Sequence, residues 1–381
     1  MITVSAFTTP EDIANRALQH VGADHKIVSL LNDGTKPQRE ILSVYSKLRQ
    51  AELRRAAWQF AIRYAVLRPI DVTTYQWTPP AWANNVTYRV GAVVSYDDGY
   101  GLRYWQNQIP ANLNNVPGSG TAWRSYAGTL FAVPYDSSEA YFTGDLVYVA
   151  GTGGSAQVYL STQQINKNSP STPQLWNSTQ TYEKEDIVTD GVNTYVSLID
   201  FNLNNTPATS PSAWAITSLA LGPAWVLLGG TLTRYELLYP MTAGPASQTI
   251  TRNVYPLPYG FLRMARQEPK SGSTSIFGAP TNRAYDDWLI ESGMLVTRDS
   301  EPIILRFVAD EQNVSYMDPM FCEGLACRIA MEIVEALTQS TEKARETSAS
   351  YTVFMREARL VNAIEEGADE PAMDDWIQTR I

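Results

Sequence analysis

Apolar positions recur at helical spacing toward both ends of the chain and at strand spacing between them. Thr9-Pro10-Glu11-Asp12 supplies a capping residue, a proline at the first helical position and carboxylates for the positive end of the helix dipole. Ile13, Ala17, Leu18 and Val21 follow on one face, and Gly22 ends the run. Thr35-Lys36-Pro37-Gln38 is a second start signal, with a capping box, ahead of Ile41, Val44, Tyr45, Leu48 and Ala51. The pattern lets this helix run through Trp58 and Phe60 until Pro69 ends it. Asp318-Pro319 opens a third helix with Phe321, Leu325, Ile329, Ile333 and Leu337 at i+4 spacing, broken at Ser340-Thr341. A fourth is expected from about Glu342 to Glu366, with Tyr351, Phe354, Ala358 and Val361 inward and Gly367 as its stop. Two helices from each end should meet in one bundle, residues 1–72 with 313–367, and everything between is an excursion.

Within the excursion a pattern repeats three times over residues 82–218. The first copy reads Trp82, Tyr88, Gly91, Val94, Tyr104, Asn115, Pro117, Trp123. The second reads Tyr135, Tyr141, Gly144, Val147, Tyr159, Asn168, Pro170, Trp176; the third starts at that same Trp176 and reads Tyr182, Glu185, Val188, Tyr195, Asn205, Pro207, Trp214. Spacing is strict around the first tyrosine and drifts where Gly, Asp and Asn cluster, as in small β-modules with fixed strands and variable turns. The boundaries are 73–129, 130–176 and 176–218. The repeated aromatics are expected to form a mini-core in modules too small to do without one: Trp82, Tyr88, Tyr104, Trp123, Tyr135, Tyr141, Tyr159, Trp176, Tyr182, Tyr195 and Trp214.

Residues 233–310 alternate as strands do, within an antiparallel β region bounded at 219–312. Asp287-Trp288-Leu289-Ile290, the turn Glu291-Ser292-Gly293, Met294-Leu295-Val296 and Ile303 to Phe307 read as a meander. Lys270 to Asn282 reads as a long loop that projects into a channel or against a partner. The tail, 368–381, is acidic but closes on Asp374-Asp375-Trp376-Ile377; it is either a frayed terminus or a segment that docks on a neighbouring subunit through Trp376 and Ile377. The fold class is α+β: a helical bundle from both ends, an antiparallel β region and an inserted array of three small β-modules.

Charge restricts the partners. With 29 basic and 39 acidic residues the formal net charge is −10, which argues against tight nucleic-acid binding while letting DNA slide past an acidic wall. Arg39, Lys47, Arg49, Arg54 and Arg55 make a basic stripe on the second helix, read either as a solvated face or, at Arg49, Arg54 and Arg55, as a contact to a partner, a neighbouring subunit or DNA. No stretch reaches the length of a membrane span, and no export signal is read at the start, so a soluble chain is expected. Cys322 and Cys327 read as buried thiols in a reducing compartment. His20 and His25 are expected at the surface or at caps, with no third ligand at metal spacing. No phosphate-cradling loop or nucleophile elbow is present, and the acid pairs Asp97-Asp98 and Asp286-Asp287 are sequence neighbours that point apart on a strand or sit in a turn. No catalytic residue, metal or cofactor is expected.

The module pattern W-x5-Y-x2-G-x-x-V, then Tyr, Asn-x-Pro and a closing Trp, resembles the chitin-binding type of small carbohydrate-binding module, over about 40 residues per copy. If the repeated aromatics are core, glycan or partner contacts fall to the variable ones, Tyr100, Trp105 and Phe201. The flanks resemble the tail tubular protein A, or head-to-tail adaptor, of short-tailed bacteriophages. The matching residues are Ile13, Ala17-Leu18 and Gly22; Leu53, Trp58-x-Phe60-Ala61 and Ala65-x-Leu67; Tyr255-x-Leu257-Pro258-x-x-Phe261-Leu262-Arg263; Gly293 and Leu295; Leu305-Arg306-Phe307; and Asp318-Pro319-Met320-Phe321 with Leu325-Ala326. This resemblance implies a non-enzymatic virion protein, assembled in the bacterial cytoplasm as a dodecameric ring between portal and tail nozzle. DNA would pass through its channel without specific binding, with tail fibres or host surface glycan met by peripheral modules. The long insertion departs from the plain family pattern, and its role is not carried over. The alternative is a glycan-binding receptor protein or depolymerase in which the repeats act and the helices only carry them.

Overall fold

The computed structural model describes residues 7–71, 73–150, 156–163, 166, 170, 174–182, 184, 186–216, 225–235, 242–243, 250–251, 253–265, 289–297 and 302–366. It is mixed α+β, with four α-helices and several antiparallel sheets among these residues. The chain divides into two compact units, Met1–Ile62 with Val314–Ile381, and Arg63–Asn313.

In the first unit α1 (Pro10–Val21) carries the full capping box: the Thr9 side chain accepts from the Asp12 N–H, and the Asp12 carboxylate accepts from the Thr9 N–H. Gly22, at φ +74°, closes it in the left-handed conformation glycine tolerates. The helix α2 (Lys36–Arg55) keeps only half of its expected box, because Gln38 turns its amide to the Leu30 carbonyl at 2.6 Å instead of back to the cap. It ends at Arg55, well short of Pro69. Ala56 is extended, and Trp58 and Phe60 turn to pack on Phe321 with ring centroids 5.0 and 5.1 Å away. Burying two aromatic rings outweighs further turns of helix.

The buried face of α2 is Gln38, Ile41, Tyr45, Arg49, Glu52 and Leu53, a rotation from the expected Ile41, Val44, Tyr45, Leu48 and Ala51. The rotation has a cause in Glu52, a fully buried carboxylate that needs cations: Arg55 lies 3.3 Å and Arg328 3.7 Å from it, and the Tyr351 hydroxyl donates to it.

Helix α3 (Pro319–Thr338) is capped by Asp318, whose carboxylate accepts from the N–H groups of Met320 and Phe321. It packs against α1, α2 and α4 (Thr341–Glu366). Gly324 of α3 lets α4 approach closely: a Cβ there would stand 2.2 Å from the Met355 sulfur. Val361, expected inward, is exposed, as are Val353, Leu360 and Ile364 on the same helix.

In the second unit Ile62–Leu67, Ile303–Ala309 and Phe261–Met264 form one sheet, in that order. The hairpin Leu289–Glu291 with Met294–Thr297 turns at Ser292-Gly293 as expected and is joined by Asn253–Pro256. The expected meander is therefore split, since Ile303–Ala309 leaves the hairpin to pair with Phe261–Met264. That lets Leu305, Phe307 and Ala309 enter a core with Leu67, Tyr255 and Leu295. Asp286, Asp287, Trp288 and the loop 270–282 lie outside the described residues.

The repeat region is built on two-residue periodicity, with one surprise of connectivity. Val93–Asp97, Leu102–Asn107 and Trp123–Ser125 form the first module's sheet. Ile187–Thr189, Thr194–Ser197 and Trp214–Ile216 form the third's. In the second, Leu146–Ala150 and Ala156–Ser161 are completed by Trp225–Leu228, a strand that follows the whole third module. Trp225 lies opposite Ser161 as Trp123 lies opposite Asn107 and Trp214 opposite Ser197. The second module is thus closed by Trp225, not by Trp176, and the third is nested inside it instead of following in tandem.

Candidate contact surface of the repeated modules

Each module is organised by one tyrosine and one tryptophan. Tyr88 and Trp123, Tyr141 and Trp225, and Tyr182 and Trp214 meet edge to face at 5.2, 5.4 and 5.3 Å. Each tyrosine hydroxyl accepts a backbone N–H five residues earlier, from Ala83, Asp136 and Asn177 at 2.7, 2.7 and 2.8 Å. Burial pushes all three phenol pKa values up, so these groups stay protonated. Trp82, Tyr135 and Trp176 are half-buried against the same three clusters. Tyr141 also lies under the Arg68 guanidinium, 4.7 Å from its ring.

The repeated asparagines are internal scaffolding. Asn112, Asn166 and Asn202 are buried and donate to Asn107, Ser161 and Ser197 at 2.7, 3.1 and 2.9 Å. Asn115 and Asn205 donate in turn to Asn112 and Asn202, and their carbonyls accept the indole N–H of Trp123 and Trp214. These are satisfied core networks.

The position opposite Val94, Val147 and Val188 is held by Trp105, Tyr159 and Tyr195. Trp105, expected as a ligand-contacting variable aromatic, is therefore the true repeat counterpart, and at 1 % exposure it is core. Tyr104, expected in that core, points the other way across the pleat and packs on Tyr259 at 4.8 Å. A shift of one residue exchanges the faces of a strand, and the variable hairpin length hid the shift.

Of the other two variable aromatics, Tyr100 is half-buried beside Arg103, whose guanidinium sits 5.3 Å from its ring and 2.8 Å from Asp98. Phe201 is 65 % exposed at the tip of the third module. Arg89 of the first module pairs with Asp186 of the third, a contact that spacing does not disclose. Sequence did hold a signal for Trp225: Ala122-Trp123, Ala213-Trp214 and Ala224-Trp225 share an Ala-Trp step that Leu175-Trp176 lacks.

The candidate residues of the helical unit separate. Arg49 is buried, so it is no surface contact; Arg54 is exposed, and Arg55 is exposed but paired with Glu52. Trp376 and Ile377 lie outside the described residues. His20 is not a surface residue: its Nε2 stands 3.3 Å from Cys327 Sγ and 3.5 Å from Glu323, with Phe354 against its ring edge. Desolvation and Arg16 lower its pKa against the pull of Glu323. His25 is exposed and meets Asp33 at 3.1 Å. Both cysteines are free and buried; burial pushes Cys327 up to about 12 and Cys322 well above the usual thiol range. Among the described residues no three His, Cys, Asp or Glu side chains are grouped to hold a metal, and no helix is long and apolar enough to cross a membrane.

No family model matches this chain, and no curated protein matches it.

Proposed function

We propose that this chain is a structural subunit of a short phage tail, a ring-forming head-to-tail adaptor that joins portal to nozzle around the DNA channel. Its insertion would be an array of three small modules carrying contact surface. The observation that supports this reading is that helices from both ends of the chain share one compact unit: α1, α2 and α4 each pack on α3, and residues 63–313 lie between them in sequence. That is the arrangement the helical periodicity at the two ends predicts. A glycan-binding or depolymerase reading has less support, because the repeated aromatics and asparagines are core. Exposed apolar side chains on α4 suit a subunit that meets further copies of itself. Light scattering of the purified chain tests the reading. A closed assembly of about twelve copies, ring-shaped in negative stain, is the expected result; a monomer both alone and mixed with portal protein would refute it.

A further inference from the structure

The start of α3, the last turns of α4 and residues 58–60 line a pocket of about 270 Å³ within the helical unit. One wall is aromatic, made by Trp58, Phe60 and Tyr316. Phe321 fixes the first two rings from 5.0 and 5.1 Å, so this wall is formed by the core itself.

What the polar lining leaves open is acceptor capacity. Ser315 Oγ donates to the Thr8 carbonyl. Asn362 is engaged at both ends of its amide: Oδ1 accepts the Gln59 N–H at 2.7 Å and Nδ2 donates to the Ala57 carbonyl at 3.1 Å. Asp318 spends one carboxylate oxygen, Oδ1, on the cap of α3. Its second oxygen and the Glu365 carboxylate make no hydrogen bond or ion pair among the described residues, and no lysine, arginine or histidine is among the side chains that line the pocket. An anion would meet like charge here, and an apolar ligand would strip water from two carboxylates and give them nothing in return.

The matching ligand is positive, rich in donors, without acceptors, and flat enough to lie on a ring. Guanidinium has this set, with five N–H donors in one plane and a face that stacks on aromatic rings. The chain uses the same combination three times within its own fold. Arg55, Arg68 and Arg103 lie 5.9, 4.7 and 5.3 Å from the rings of Tyr351, Tyr141 and Tyr100 while meeting the carboxylates of Glu52, Asp145 and Asp98 at 3.3, 2.9 and 2.8 Å. The pocket presents those two partners, ring and carboxylate, to solvent, and a net charge of −10 draws cations toward it.

We infer that this pocket binds a guanidinium group, with its plane against the aromatic wall and its N–H groups shared by Asp318 and Glu365. The site goes beyond the ring reading and does not depend on it.

Ligand-observed NMR titration of the full chain tests the site. Nα-acetyl-argininamide should bind with about millimolar affinity, and Nα-acetyl-citrullinamide, of the same shape but uncharged, roughly tenfold or more weakly. Asp318→Asn keeps the cap, since asparagine serves there as well as aspartate, and Glu365→Gln changes an exposed side chain. Each should weaken arginine binding severalfold, and the two together should abolish it. Arg380 is the sole basic residue after Arg359, so Arg380→Gln is titrated in parallel. Binding by the wild type makes the guanidinium an external one; binding by Arg380→Gln alone makes Arg380 the occupant of the same site. Equal binding of the citrulline probe, undiminished binding by the double variant, or no binding by either the wild type or Arg380→Gln overturns the site.

Discussion

The indole N–H of Trp214 donates to the carbonyl of Asn205 at 2.7 Å, and the same bond joins Trp123 to Asn115 at 2.8 Å. Trp214→Phe keeps the ring contact with Tyr182 but leaves that carbonyl without its donor. The expected loss is about 1–3 kcal/mol of unfolding free energy, read by denaturant titration followed in the near-ultraviolet.

The nested connection gives a sharper test. Trp225→Ala should destabilise as Trp123→Ala does, by about 3–5 kcal/mol, because both remove the fully buried partner of a module tyrosine. Trp176→Ala, at a half-buried site, should have a clearly smaller effect. The reverse ranking would restore the tandem arrangement.

Gly230 sits at φ +106°, and a Cβ on it would stand 2.2 Å from the Thr78 carbonyl oxygen. Backbone cannot swing aside as a side chain does, so Gly230→Ala should lower the melting temperature by several degrees. Gly324→Leu should separate α3 from α4 by forcing Met355 out, seen as lost helical cooperativity in thermal circular dichroism.

Glu52→Gln removes the anion that Arg55 and Arg328 share inside the helical unit. A loss of about 3 kcal/mol is expected, reduced to the extent that the partly exposed arginines find water. Equal unfolding midpoints for variant and wild type would refute it.

His20 supplies a pH dependence with a definite sign. Its folded pKa lies below the usual imidazole value of 6.5, so the folded state resists protonation. Stability is unaffected above that value and falls as pH drops through 6.5 toward the folded pKa. His20→Gln should flatten the melting-temperature profile just below pH 6.5 while leaving the carboxylate-driven loss at lower pH.

Local chemistry made the helices legible. Thr9-Pro10 and Asp318-Pro319 fixed two starts to the residue, because capping is decided within four positions. The end of α2 was not legible, since Phe321, which draws Trp58 and Phe60 away from the helix, lies far along the chain. The face of α2 was misread for a similar reason: a glutamate counts as surface until Arg328 and Tyr351, distant in sequence, gather around Glu52. In the modules the spacing around Tyr88, Tyr141 and Tyr182 was readable. Trp105 and Tyr104 were exchanged because hairpins of unequal length shift a period of two by one.

The nesting of the third module within the second also orders events at the ribosome. The first module has all its strands once Ser125 is made, and the third once Ile216 is made. The second, begun earlier than the third, waits for Trp225 with Tyr141 and Tyr159 uncovered. At roughly 5–20 residues per second that wait lasts several seconds, during which a half-built sheet with an open edge at Ala156–Ser161 depends on the inner module to finish first.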